Sequence, residues 1–140
     1  MSDENSNWSW EDIDALLTLL PVLEDPAFVP AQWQKSWKDS EGVLHMGWPV
    51  YSETAERVFA LAPWVHPYDP LPEDEPGLDV REVAHTPEYL SQASANQVLR
   101  YLALCRRLER FGDGHIESQF KRGRIVAALR RLRELREAAR

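Results

Sequence analysis

RRLERFGDGHIESQFKRGRIVAALRRLREL, residues 106–135, is the stretch that decides the fold. Gly112 and Gly114 punctuate it once and Gly123 a second time. Glycine enters the left-handed conformation freely and so ends helices. Three helices are expected around these breaks: Ala95–Phe111, Gly114–Arg122 and Arg124–Ala138. In the first, Val98, Tyr101, Leu102, Cys105 and Leu108 fall on one stripe at helical spacing. In the last, Ile125, Ala128, Leu129, Leu132 and Leu135 do the same. Ser94 with Gln97 has the spacing of a capping box at the start of this three-helix scaffold. Asp113 is the expected cap of the middle helix.

Working outward, the N-terminal half is irregular and rich in Trp and Pro. Ser9 and Asp12 form a second capping-box pattern, followed by Ile13, Leu16, Leu17 and Leu20, with Pro21 ending the run or sitting just beyond it. Asp25 to Pro30 reads as a loop. Pro30 suits the first position of a short helix, on which Trp33 and Trp37, four apart, share a face with Lys35 and Lys38 nearby. Val43 to Val50 is the one stretch with strand character, weakened by Pro49, so the expectation is all-α, or α with one short hairpin. Ser52 begins a further helix that Pro63 ends. Residues 63–80 hold five prolines and five acidic residues and read as an acidic surface loop. Thr86 and Pro87 suggest another helix start. The expected fold is therefore mainly α, one compact domain over residues 1–140, with residues 95–138 as its scaffold.

VYSETAERVF, from Val50 to Phe59, and the opening stretch resemble a small bacterial family known only as a domain of unknown function. The shared features are a Tyr-Ser helix start, an arginine-rich Glu-Arg-Phe turn ending in Gly-His, and a Leu/Arg C-terminal helix. Some relatives carry Cys at the position of Gly112. The resemblance implies a compact bacterial domain and directs attention to Arg110–His115. It implies no chemistry.

Composition narrows the function classes. The chain has 140 residues and is 44% hydrophobic, enough for a core. No apolar run is long enough to span a membrane, and the start MSDENSNWSWED lacks the basic and apolar parts of a secretory signal. A single cysteine, Cys105, excludes an internal disulfide and fits a reducing cytoplasm. Net charge is −7, but unevenly spread: residues 1–95 carry 4 Lys/Arg against 18 Asp/Glu, and residues 96–140 carry 12 against 5. Such asymmetry either marks a basic arm for an anionic partner or is neutralised within the fold.

Motifs for chemistry are absent. No nucleotide loop, nucleophile elbow or zinc-protease pattern occurs. His45, His66, His85, His115 and Cys105 are scattered without ligand spacing, so neither metal nor other cofactor is expected. An enzyme centred on His115, with Glu117, Asp113 or Tyr51, is the weakest reading, because residues i and i+2 of a helix point apart. Arg106, Arg110, Lys121 and Arg124 around the glycine turn suggest an anion site at a helix N-terminus; capping by Asp113 is the alternative there. Six tryptophans in the acidic half, Trp8, Trp10, Trp33, Trp37, Trp48 and Trp64, suit either stapling onto the C-terminal helices or partner binding. The expectation is a non-enzymatic interaction module for a protein partner, using Trp33, Trp37, Arg107, Arg110, His115 and Arg124. The alternative is nucleic-acid binding through Arg100, Arg107, Arg110, Arg124 and Arg131.

Overall fold

Local signals set most helix starts in the computed structural model, which describes residues 8–67 and 87–140. Helix α1, Trp10–Leu17, opens with the expected capping box: Asp12 N donates to Ser9 Oγ and Ser9 N donates to Asp12 Oδ2. Pro21 sits just beyond this run, which ends at Leu17. It sits in the first turn of a second short helix, α2, Leu20–Glu24, where a missing N–H costs nothing. Helix α3, Glu53–Leu61, is capped by Ser52, whose Oγ accepts from Ala55 N. A 3-10 helix, Pro87–Gln92, follows. Then come α4, Ala95–Glu109, with the Ser94–Gln97 capping box, α5, His115–Lys121, and α6, Arg124–Ala139. The fold is mainly α. The acidic stretch from residue 68 to 80, with His85 and Thr86, lies outside the described residues.

The segment around Trp33 and Trp37 is not helical. Strands β1, Ala31–Trp33, and β4, Pro49–Tyr51, pair antiparallel, Ala31 opposite Tyr51 and Trp33 opposite Pro49. Strands β2, Trp37–Lys38, and β3, Leu44–His45, pair inside them. The result is a nested antiparallel ribbon rather than one hairpin and a helix. Gln34 N donates to Trp48 O across the ribbon. Proline fits at position 49 because every strand of a two-stranded ribbon is an edge. Trp33 and Trp37 thus belong to different strand pairs, and their spacing of four has no helical meaning here.

The core gathers one side of most helices and encloses α4 all round from Gln97 to Cys105. Ile13, Leu16, Val58, Val98, Leu99, Tyr101, Ile125, Ala128, Leu129 and Leu132 are fully buried, while Leu135 is only half-buried. Phe120 of α5 packs against Phe28 and Phe59, with ring centroids 5.6 and 6.3 Å away. Side chains of α4, α5 and α6 also meet through polar groups in the interior. Tyr101 Oη donates to Gln119 Oε1 at 2.6 Å, and Arg124 Nη1 reaches the same oxygen at 3.4 Å. Burial pushes the neighbouring Cys105 thiol up to about 12, so it stays protonated at neutral pH.

Part of the charge asymmetry is neutralised between helices. Arg136 grips Asp14 of α1 through two bonds of 3.0 Å, with Arg140 at 3.7 Å. Arg130 meets Glu24 of α2 at 2.7 Å, and Arg133 approaches the same carboxylate at 3.9 Å. Arg131 bonds Ala93 O and Glu134. Arg130 and Arg133 thus take a carboxylate on another helix, although Glu134 and Glu137 lie one turn along α6 from them. A fork-shaped guanidinium gains more from a carboxylate that faces it squarely than from a flexible neighbour one turn away.

Candidate functional site

The glycine turn between α4 and α5 is closed from an unexpected direction. Gly114 occupies the N-cap of α5 and has no side chain to offer. Asp113 is not the cap. Glu109, at the end of α4, reaches across the turn: its Oε2 accepts from Gly114 N at 3.0 Å and its Oε1 from Ile116 N at 2.8 Å. Tyr51 of β4 completes the arrangement. Its hydroxyl donates to Glu109 Oε1 at 2.8 Å and accepts from Glu117 N at 3.2 Å. The free N–H groups that would attract an outside anion are thus already taken by a carboxylate and a phenol.

Trp33 fixes the ribbon to the same turn. Its indole N–H donates to Glu117 Oε1 at 2.7 Å, and Lys121 lies 3.6 Å from that oxygen. The ring lies so close to Gly114 that a Cβ there would come within 2.8 Å of it, and φ at Gly114 is +94°. Only glycine meets both demands. Burial and the adjacent Glu109 carboxylate hold the Tyr51 hydroxyl well above its ordinary range, so it remains a donor at any working pH.

His115 begins α5, half-buried, and its Nε2 has no hydrogen-bond partner among the described residues. Burial lowers its pKa below the ordinary 6.5; Arg122 and Arg124 push the same way and Glu109 opposes them. A group whose charged form is disfavoured by folding takes up a proton more readily when unfolded. Stability is then greatest above the ordinary pKa and falls as pH drops through the lower folded value. We expect wild type to lose more stability than His115→Gln between about pH 7 and pH 5. Urea unfolding of both proteins across that range checks this, and parallel curves would refute it.

Of the remaining sequence-nominated residues, Arg106, Arg107 and Arg110 come together at the end of α4, and the others lie apart from them. Arg124 is buried at 8% exposure and turned toward Gln119. Arg100 is buried too, and Arg131 is engaged with Ala93 and Glu134. Arg107 and Arg110 lie near the end of α4. Trp8 and Trp10 act as staples: Trp8 Nε1 donates to Asn96, the two rings meet edge to face, and Arg136 lies over Trp10. Among the described residues no group of three or more His, Cys, Asp or Glu is placed to hold a metal ion, and no helix is long and apolar enough to cross a membrane.

What emerges instead is a ribbon dense in exposed apolar side chains. Of the eleven exposed large hydrophobic side chains among the described residues, eight lie between Val29 and Val50. Trp37, Leu44, Met46, Trp48 and Val50 are 44–70% exposed. Scattered apolar residues are ordinary, but such a run on one ribbon is not. The far end of the ribbon is firmly built. Asp39 Oδ1 accepts from Glu41 N and Val43 N, and its Oδ2 meets His45 Nε2 at 3.0 Å. Trp37 stacks on His45 with centroids 4.3 Å apart. At the near end, Val29, Ala31, Gln32, Val50, Tyr51 and Ser52 line a hollow of about 210 Å³. The sequence concealed this surface because strands of two or three residues leave almost no periodic signal.

A model of a family of unknown function, DUF6508, matches residues 9–138. No curated protein matches, and no solved structure does.

Proposed function

The chain belongs to the DUF6508 family, and we propose that it is a protein-binding module whose contact surface is the apolar ribbon from Val29 to Val50. The observation that carries this reading is the concentration of exposed hydrophobic side chains on that ribbon. Interface centres are enriched in Trp and Met, which supply large contact area. Both strands of each pair are edges, so a partner strand finds open backbone groups as well as side chains. Trp37, Leu44, Met46, Trp48 and Val50 would make the contacts. Trp33 and Tyr51 would hold the ribbon at a fixed angle on the helices. Arg124 has no part in this surface because it is buried. A bacterial, cytoplasmic setting belongs to the same proposal and rests on the family resemblance and the lone thiol.

The test is affinity purification from the native host with nuclease present, comparing wild type with Trp37→Ser/Leu44→Ser/Trp48→Ser. A stoichiometric protein bound by wild type and lost by the variant, with unchanged far-UV circular dichroism, supports the ribbon. A protein retained equally by both overturns it, as does recovery of nucleic acid alone when nuclease is omitted.

A further inference from the structure

At the C-terminal end of α4 a second feature stands apart from the ribbon. Trp64, His66, Arg106, Arg107, Arg110 and Phe111 line a cleft of about 290 Å³. That is near the lower bound of the roughly 300–1,000 Å³ typical of small-molecule sites. No carboxylate lines it among the described residues. Glu109, the nearest acid in sequence, is committed to Tyr51 and the start of α5. Arg106 and Arg110 sit one helical turn apart and so share a face. Neither makes a hydrogen bond or ion pair with another described side chain, unlike Arg130, Arg133, Arg136 and Arg140, which Glu24 and Asp14 hold. Trp64 is 51% exposed and Phe111 is 81% exposed. Phe111 is by this measure the most exposed large hydrophobic residue described, and it stands immediately after a cationic run.

We infer that this cleft binds a nucleoside phosphate. Guanidinium forks match phosphate oxygens in pairs and need no deprotonation. The Trp64 and Phe111 rings offer flat apolar surface for a planar base, and arginine beside aromatic rings favours the same ligand. Size and charge argue for a small ligand over an extended strand. The cleft accommodates about one such molecule, and a protein with net charge −7 repels a long polyanion beyond the arginines. The inference stands independently of the ribbon.

The full-length protein is titrated calorimetrically at low and moderate salt with adenosine 5′-monophosphate, uridine 5′-monophosphate, adenosine and inorganic phosphate. Saturable binding of the monophosphates with Kd below about 1 mM is expected, weakened at least about tenfold in Arg106→Gln/Arg110→Gln. Trp64→Ala is expected to weaken the nucleotides but not inorganic phosphate, a readout that a merely structural role would not separate. No saturable binding up to about 10 mM overturns the inference. So does equal binding of inorganic phosphate and the nucleotides, or unchanged affinity in the arginine variant. Tighter binding of an unphosphorylated oligonucleotide than of either monophosphate overturns it in favour of strand binding.

Discussion

Glu109→Ala is expected to destabilise the protein by about 3 kcal/mol, more than most single surface substitutions. The carboxylate accepts three hydrogen bonds, from Gly114 N, Ile116 N and Tyr51 Oη. Removing it leaves two backbone donors at the start of α5 without a side-chain acceptor, because the N-cap is a glycine. It also frees the Tyr51 hydroxyl, and with it one attachment of the ribbon. Each unsatisfied donor costs about 1–3 kcal/mol when buried, less where water reaches it, as at this half-buried turn. Tyr51→Phe removes only the phenol and should cost about 1 kcal/mol. The two losses should not add, since both variants break the same bond. Urea unfolding midpoints for the single and double variants, at unchanged m, are the check. A Glu109→Ala effect under about 0.5 kcal/mol would place this residue among ordinary surface acids and sink the argument.

Gly47→Val should unzip the ribbon while leaving the helices folded. A Cβ at Gly47 would lie 2.2 Å from Gln34 O and 3.3 Å from Ser36 N, both backbone atoms that no rotamer change can move. The strands must separate there, disturbing the bond from Gln34 N to Trp48 O. Across the ribbon only Ala31 is buried, so little core packing opposes local opening. The cost is about 2–3 kcal/mol of strain, relieved by opening rather than by global unfolding. Hydrogen exchange gives the reading: amides of Gln34 and Asp39 should lose protection while those of α4 keep theirs. The variant should also lose whatever protein the ribbon binds. Equal loss of protection in α4 would make the ribbon part of the cooperative core and refute the separation.

Much of the fold was legible because its signals are local. Ser9 with Asp12, Ser52, and Ser94 with Gln97 each bond within three residues, so their effect depends on little beyond the neighbouring chain. The stripe of α6 lies in the core apart from the half-buried Leu135, whereas α4 buries Leu99, Arg100, Ala103 and Leu104 as well as its stripe, because other helices pack on more than one side of it. The capping of α5 by Glu109 leaves only an indirect signal in the sequence. An acid at the C-terminal end of a helix opposes the helix dipole, and a glycine N-cap lacks a side-chain acceptor. Two such local mismatches five residues apart mark a place where tertiary structure supplies the bond.

By itself the sequence determined the mainly helical class, the starts of three helices, the glycine breaks near residues 112–114 and at residue 123, and the buried stripes. These follow from hydrogen bonds and side-chain spacing within one or two turns. Tertiary structure alone decided which acid meets which arginine, that Glu109 rather than Asp113 caps α5, and that Trp33 and Trp37 lie on strands. The physical reason is distance along the chain. Asp14 and Arg136 are 122 residues apart, Trp33 and Glu117 are 84 apart, and short strands exist only once a partner strand is beside them. Such contacts are chosen by how whole helices and the ribbon pack, a quantity no local pattern encodes.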